Sequence, residues 1–342
     1  MNIVTDIRNE NVGTHRGYLL LQLIGQWASR CLDNRYIMLA DEGDVFTGLP
    51  SNVSVVHFPV LSGLKKLFSG FSKKLNALSP DIFIGSQYQK GIAATARQYL
   101  FINEPAQITE KQKKDMQAVQ GIIVASNDLR KRITKFLPES KNKIRIAAMV
   151  SPLFLPMTVE ESTAVKEICT DGQEFFLCSD FDLDADSLTY LLKSFSKFKK
   201  MQQTTWKLMV ALRHESQHGL EKLLERYRYR QDVVLLPDAD IDTVSRVCAA
   251  AYAVCSVSVK NRFPVIVWEA LQANTPIIAV KGAHLPPETD QLLIKMPEDD
   301  QAALADAIMF LYKNEQLRGK YKQKIVAFMK SKRQEAPWYK GL

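Results

Sequence analysis

The sequence predicts an α/β protein made of two doubly wound parallel sheets in series, and three observations carry that prediction. Short apolar runs recur along the whole chain, each followed by a longer stretch with helical spacing. The runs are continuously apolar rather than alternating, as strands covered on both faces must be. The rhythm breaks once, between residues 146 and 167, where Ser151, Pro152 and Pro156 interrupt it, and then restarts. At roughly 100–200 residues per domain, a chain of 342 residues holds two such sheets. Domains are therefore expected over 1–156 and 157–325, with a final helix over 326–342.

In order, residues 2–7 read as a strand, followed by a polar loop holding Gly13 and Gly17 and by a helix over 18–29 with Leu19, Leu20, Leu23, Ile24 and Trp27 at helical spacing. Strands follow at 36–40 and 53–58, then a helical stretch over 63–78 and a buried strand at 81–84 behind Ser79-Pro80. Residues 99–102 and 121–125 read as strands, the second feeding a helix capped by Ser126. This half is Rossmann-like. Beyond the break, strands are expected at 175–179, 206–212, 233–236, 253–258 and 276–280, and helices over 186–200, 218–227, 240–250, 264–273 and through 301–332. Ligands of such sheets bind outside the carboxyl ends of the strands, so two facing sheets place the crevice between the domains.

Composition narrows the function classes. Forty-six per cent hydrophobic and 24% charged residues fit an ordinary globular protein, not a disordered or fibrous one. Five cysteines (Cys31, Cys169, Cys178, Cys248, Cys255) lie in no CxxC or Cys/His spacing that holds zinc and read as buried thiols of a reducing compartment. The first residues, MNIVTDIRNENVG, carry no apolar signal core, and no stretch reaches the roughly 18 uncharged residues of a membrane span. A cytoplasmic protein is expected. The net charge of +8 favours an anionic partner. Nucleic acid is not the expected one, because the bases are dispersed and no recognition motif is present. Residues 61–75, LSGLKKLFSGFSKKL, form a basic amphipathic stretch that offers peripheral contact with an inner membrane surface, or else a core-packed helix with a lysine face.

The segment 260–280, KNRFPVIVWEALQANTPIIAV, resembles the donor-binding signature of the retaining GT-B glycosyltransferases of the family 4, or group 1, type, through Phe263, Glu269-Ala270 and Thr275-Pro276. Residues 175–192, 207–213 and 233–253 resemble the flanking elements of that family's second domain, and Trp338 and Tyr339 fit its terminal crossing back to the first. Weaker matches lie at Asp6-x-Arg8, 13–18, Pro80-Asp81 and 122–129. The resemblance implies a GT-B fold and a glycosyltransferase that moves a sugar, with retention, from a nucleoside diphosphate donor to a glycan or lipid-linked acceptor, with no metal or other cofactor. It also implies that Glu269 accepts hydrogen bonds from the ribose hydroxyls. The helix beginning near Pro264 presents unpaired N–H groups suited to a diphosphate. Arg213, at a strand end, and Lys260 and Arg262, flanking that helix, would compensate its charge, with Asn261 and Phe263 beside them. Gly13, His15, Arg16 and Gly17 form a candidate loop for the acceptor or the leaving phosphate. No catalytic residue is singled out.

Departures from the family pattern point the other way. Asn261 stands where the family carries its first Glu, and Arg262 and Pro264 replace two glycines; Pro264 has no N–H to give a phosphate. Four aspartates, Asp180, Asp182, Asp184 and Asp186, follow the strand at 175–179, where the family places bases, and would repel a diphosphate. They lack the glycine and distal glutamate of a calcium loop, and His214 and His218 lack the HExxH arrangement of a zinc site. The alternative is thus a GT-B chain that has lost turnover and serves as a binding or partner subunit. A sugar-nucleotide epimerase of related architecture is a third reading, with no distinctive residue.

Overall fold

The computed structural model describes residues 1–8, 15–41, 46, 49–58, 70–102, 108–147, 151, 153–180, 183–212, 220–237, 239–257, 265–280, 287–297, 300, 302–334 and 339. The chain divides into two units, one of Met1–Val150 with Ala336–Leu342, the other of Ser151–Glu335.

The first unit is a seven-stranded, wholly parallel sheet in the order β3-β2-β1-β4-β5-β6-β7. Its strands are β1 (Asn2–Asp6), β2 (Arg35–Ala40), β3 (Val53–His57), β4 (Ile82–Gly85), β5 (Arg97–Ile102), β6 (Gly121–Val124) and β7 (Ile144–Ile146). Helices α1 (His15–Arg30), α2 (Phe71–Ala77), α3 (Glu110–Ala118) and α4 (Asn127–Phe136) connect them. The run Ile-Phe-Ile-Gly of β4 is buried at every position, which is why it reads as continuously apolar. Gly121 is required by its neighbour: it pairs with Tyr99, and a Cβ there would lie 2.4 Å from the Tyr99 ring. Ser126 accepts from the Leu129 amide and so caps α4. Tyr339 stacks on Trp27 of α1, with centroids 5.3 Å apart and planes 10° from parallel.

The second unit is a six-stranded parallel sheet in the order β10-β9-β8-β11-β12-β13. Its elements are α5 (Val159–Thr170), β8 (Phe175–Cys178), α6 (Ala185–Gln202), β9 (Lys207–Ala211), α7 (Leu220–Glu225), β10 (Val233–Leu236), α8 (Ile241–Ala250), β11 (Ala253–Ser256), α9 (Val265–Gln272), β12 (Ile277–Val280), β13 (Leu293–Met296), α10 (Ala303–Tyr312) and α11 (Glu315–Gln334). Helix α6 buries Leu188, Leu191, Leu192, Phe195 and Phe198, the spacing that sets one stripe of a helix on a sheet. At the amino edge of this sheet Trp206 meets Tyr252 and Tyr312, with centroids 4.5 and 4.9 Å away. Arg318 of α11 lies 4.2 Å over the Tyr252 ring and donates to the Tyr252 carbonyl at 3.1 Å, fastening the last helix there.

Three expectations are corrected. The break over 146–167 is not structureless: it holds most of α5, whose capping box is closed by Thr158 and Glu161. Apolar spacing misses this helix because Val159 and Ile168 are 78% and 84% exposed. Helix α3, β7 and β13 were likewise not expected from the apolar pattern. The cysteines are not all buried: Cys178, Cys248 and Cys255 are, whereas Cys31 and Cys169 are half-buried, and all five are free thiols.

The basic stretch 61–75 lies outside the described residues up to 69. Its described end turns inward. Leu75 is fully buried, and Phe71 packs against Phe58 with centroids 5.8 Å apart while the Arg8 guanidinium covers its ring at 3.9 Å. Arg8 is held in place by a two-point ion pair with Asp6, 2.8 and 2.9 Å long. For Phe71 and Leu75 the core-packed reading holds.

Candidate functional site

In the second sheet, strand order reverses between β8 and β11, since β9 and β10 lie to one side and β12 and β13 to the other. That switch point is where chains leaving the carboxyl ends diverge and open a crevice for a ligand.

Asp180 closes the floor of this place. It leaves β8, is 5% exposed, and accepts from the Ser256 hydroxyl at 2.9 Å and the Val257 amide at 2.8 Å, both at the exit of β11. Its charge is satisfied by donors on the neighbouring strand, as a buried carboxylate requires. Burial, and then the Asp180 charge, push the thiols of Cys178 and Cys255 well up from the ordinary cysteine value. Asp184 is committed as well: it is the N-cap of α6 and accepts from the Ser187 amide at 2.9 Å. The four aspartates are therefore not a uniform repulsive loop. Two do structural work, Asp186 is exposed on the first turn of α6, and Asp182 lies outside the described residues.

Helix α9 begins eight residues beyond Val257 and is buried at all of its positions. It packs on β11, β12, α8 and α11, with Trp268 6.2 Å from the Phe328 ring. Glu269 sits in its second turn, 2% exposed and engaged with other groups of the protein. The turn after α9 needs a left-handed residue, supplied by Asn274 at φ 58°. The Thr275 amide then donates to the Ala270 carbonyl at 2.9 Å, and the Thr275 hydroxyl to the Cys248 carbonyl of α8 at 2.8 Å. The Ala-Asn-Thr-Pro run thus fixes α9 between α8 and β12, which is a structural reason for its pattern.

Of the other site residues expected from sequence, Arg213, Lys260, Asn261, Arg262 and Phe263 lie outside the described residues, on the segments that follow β9 and β11. Gly13 lies outside them too, as do His214 and His218. His15, Arg16 and Gly17 are not loop residues but the first turn of α1, with Gly17 buried, because α1 starts three residues earlier than its apolar pattern. Asp180 is the residue at this switch point that spacing does not single out as a latch; its partner is 77 residues away and becomes a neighbour only through the sheet order.

A polar cavity of about 710 Å³ opens at the opposite, amino edge of the sheet, lined by Lys199, Lys207, Asp232 and Tyr229 among others. Its buried lysine is already spent: Lys199 pairs with Asp232 at 2.9 Å and donates to the carbonyls of Thr204 and Trp206, and Lys207 shares the same carboxylate at 3.6 Å. Among the described residues no helix is long and apolar enough to cross a membrane, and no three His, Cys, Asp or Glu side chains are grouped to share a metal ion.

Residues 166–326 match the family model of glycosyl transferases group 1. No curated protein sequence matches the chain. Among solved structures, the chain is similar to WaaG, a glycosyltransferase involved in lipopolysaccharide biosynthesis (TM-score 0.70, 12% identity, 95% of this chain and 94% of that one). It is similar to Anabaena Alr3699/HepE in complex with UDP and glucose (0.70, 11%, 96% and 94%). A third is sucrose-phosphate synthase from Thermosynechococcus elongatus (0.68, 15%, 96% and 94%). At these identities the likeness establishes the fold, which is GT-B.

Proposed function

We propose that this chain, whose residues 166–326 match the family model of glycosyl transferases group 1, is an enzyme that moves a hexose from a uridine diphosphate donor to a glycan or lipid-linked acceptor with retention. The observation that carries the proposal is Glu269: a carboxylate 2% exposed, on a helix that starts beside the switch point of the second sheet. A carboxylate has acceptor sites enough to take both hydroxyls of a ribose. The UDP and glucose held by the Anabaena protein support the donor class, and the lipopolysaccharide role of WaaG supports the acceptor class.

On this reading the protein's contribution is electrostatic. The amino end of α9, with Arg213, Lys260 and Arg262, would stabilise the departing diphosphate, and the reaction needs no metal. Asn261 and Pro264, which depart from the family pattern, favour the second reading of a GT-B binding subunit without turnover.

The deciding experiment is a thermal-shift series with UDP, GDP, ADP and CMP on the wild type, Glu269→Ala and Glu269→Gln. A ligand bound only by the native state raises the melting temperature. The proposal expects a shift with UDP that both variants lose while their ligand-free melting stays cooperative, and release of UDP from a UDP-sugar by the wild type in the presence of EDTA. Indifference of the wild type to all four nucleotides would overturn the donor site, and UDP binding without turnover would move the protein to the second reading.

A further inference from the structure

The cavity at the amino edge of the second sheet lies where three connections enter three adjacent strands. Residues 171–174 run into β8, residues 203–206 into β9 and residues 228–232 into β10, and these strands are neighbours in the sheet. The helices before the first two, α5 and α6, end on residues in the left-handed region, Asp171 at φ 53° and Gln203 at φ 48°. Each chain therefore turns sharply at that point, and both residues line the cavity. The walls are tied across. The Thr205 hydroxyl donates to the Gln173 side-chain carbonyl, joining the first connection to the second, and the Lys207 ammonium donates to the Gln231 carbonyl at 3.0 Å, joining β9 to the third. Lys199, from the last turn of α6, reaches Asp232 at 2.9 Å. At about 710 Å³ the cavity falls within the roughly 300–1,000 Å³ of small-molecule sites.

Its lining combines an aromatic face, neutral hydrogen-bonding groups and positive charge. Tyr229 is half-buried and stands against Tyr227, with 6.1 Å between centroids. Tyr227 is itself fixed, since its hydroxyl donates to the Leu192 carbonyl at 2.8 Å and accepts from Ser196 at 2.9 Å. The Arg228 guanidinium lies 5.5 Å from the Tyr229 ring centre. Gln173, Gln203, Thr204 and Thr205 bring amides and hydroxyls. Four cations, Lys199, Lys200, Lys207 and Arg228, face two carboxylates, Asp171 and Asp232, so two positive charges remain over. Asp232 already serves Lys199 and, at 3.6 Å, Lys207. Lys200 and Arg228 are exposed, and neither side chain forms a hydrogen bond or an ion pair among the described residues. These two are the cations available to a ligand.

We infer that this cavity is a second saccharide site, distinct from the donor crevice, for a sugar unit that carries a carboxylate or a phosphate. A sugar ring has C–H groups on its faces and hydroxyls at its edge, each hydroxyl both donor and acceptor. Tyr229 supplies the aromatic face, and the amides, hydroxyls and carboxylates of the walls supply the paired donors and acceptors. The fork of Arg228 and the ammonium of Lys200 match the anionic group. A neutral sugar would leave the surplus charge unanswered, and a bare anion would leave the ring and the amides unused. Strands β8 and β9, of four and five residues, separate this edge from the carboxyl edge by roughly 13–16 Å. The site thus holds a glycan away from the reacting atoms. It agrees with a glycan acceptor but does not rest on the donor site, and the two are read out separately.

The test is isothermal titration calorimetry of the full chain with trigalacturonate, glucose 6-phosphate, maltotriose and inorganic phosphate. Trigalacturonate or glucose 6-phosphate should bind at least about tenfold tighter than maltotriose and phosphate, and the tighter of the two identifies the anionic group. The double variant Lys200→Gln, Arg228→Gln should weaken that binding at least about tenfold, Tyr229→Ala likewise, and Tyr229→Phe should keep it. Arg246→Gln, exposed on α8, is the control that should bind as the wild type. Unchanged melting of the double variant would show that it folds, and saturating UDP should leave the saccharide affinity unchanged. Saccharide binding by a chain that ignores UDP would support the inference while overturning the donor site. Phosphate bound as tightly as the charged sugars, equal binding of maltotriose, full binding by the double variant, competition by UDP, or no binding of either charged sugar at millimolar concentration would each overturn the inference.

Discussion

Asp180 and Val257 stand 77 residues apart in sequence, and their carboxylate and amide meet at 2.8 Å across the point where the strand order of the second sheet reverses. The contact fixes the exit of β8 against the exit of β11, and the chain that leaves β11 runs directly into the segment preceding α9. Asp180, the first of the four aspartates after β8, is part of the frame that joins the two central strands of this sheet.

Removing it should cost stability. Asp180→Ala leaves the buried Val257 amide and Ser256 hydroxyl without their acceptor, about 1–3 kcal/mol for each group. We expect the second unit to lose about 2–4 kcal/mol in urea unfolding. Asp186→Ala, exposed on the same segment, should stay within about 0.5 kcal/mol of the wild type. Equal losses in the two variants would show that the latch contributes nothing.

The two helices that apolar spacing overlooked offer a second test. Thr109 caps α3 with Gln112, and Thr158 caps α5 with Glu161, each pair forming a reciprocal box. Thr158→Ala should cost about 1 kcal/mol, and Thr109→Ala a similar amount. Helical signal lost from α5 can be followed by amide hydrogen exchange over 159–170; unchanged protection there would rule out the capping role.

The fold was legible in the sequence because covered parallel strands must be continuously apolar, as Phe175–Cys178 and Ile277–Val280 are. What periodicity could not reveal were helices that bury little. Helix α3 buries only Met116, so its apolar pattern is faint, and the readable signals were Thr109-x-x-Gln112 and Thr158-x-x-Glu161. The candidate site was legible in part. Glu269 and its helix follow from local spacing and resemblance, whereas the partnership of Asp180 with Ser256 depends on β8 lying beside β11, which no local pattern encodes.

Alkaline pH should destabilise the protein, and the sign follows from burial. The Cys178 and Cys255 thiols and the Tyr36 and Tyr252 phenols are pushed up in the folded chain, and Tyr227 is pushed up to about 12. Each holds its proton in the native state at pH values where the unfolded chain has released it. Their contribution is therefore complete below the unfolded pKa, near 9 for the thiols and 10 for the phenols, and is lost as pH rises through the folded value. Stability should fall above about pH 9 through the two buried thiols, by up to about 1.4 kcal/mol per pH unit for each, and more steeply above about pH 10 as the phenols add smaller, solvent-screened contributions. Cys255→Ala should make the decline shallower by one group; an identical slope would contradict the assignment.

Thiol accessibility provides an independent check on packing. Under native conditions an alkylating reagent should label Cys31 and Cys169 and spare Cys178, Cys248 and Cys255, while all five react in denaturant. Burial raises the Cys169 thiol, so its labelling should accelerate as pH is raised towards 9. Rapid native labelling of Cys178 or Cys255, read by peptide mass mapping, would mean that the β8 and β11 strands are not buried as described.

The stacking of Tyr339 on Trp27 carries a consequence for how the molecule is made. Residues 336–342 belong to the first unit, although the whole of the second unit intervenes in sequence. A polypeptide emerging from the ribosome folds its domains in order, but here the first sheet receives its last aromatic contact only after the second has been synthesised. During that interval the indole of Trp27 has Tyr36 against it, 5.6 Å between centroids, but not yet Tyr339, so premature release would leave the earlier-made unit, rather than the later one, incomplete.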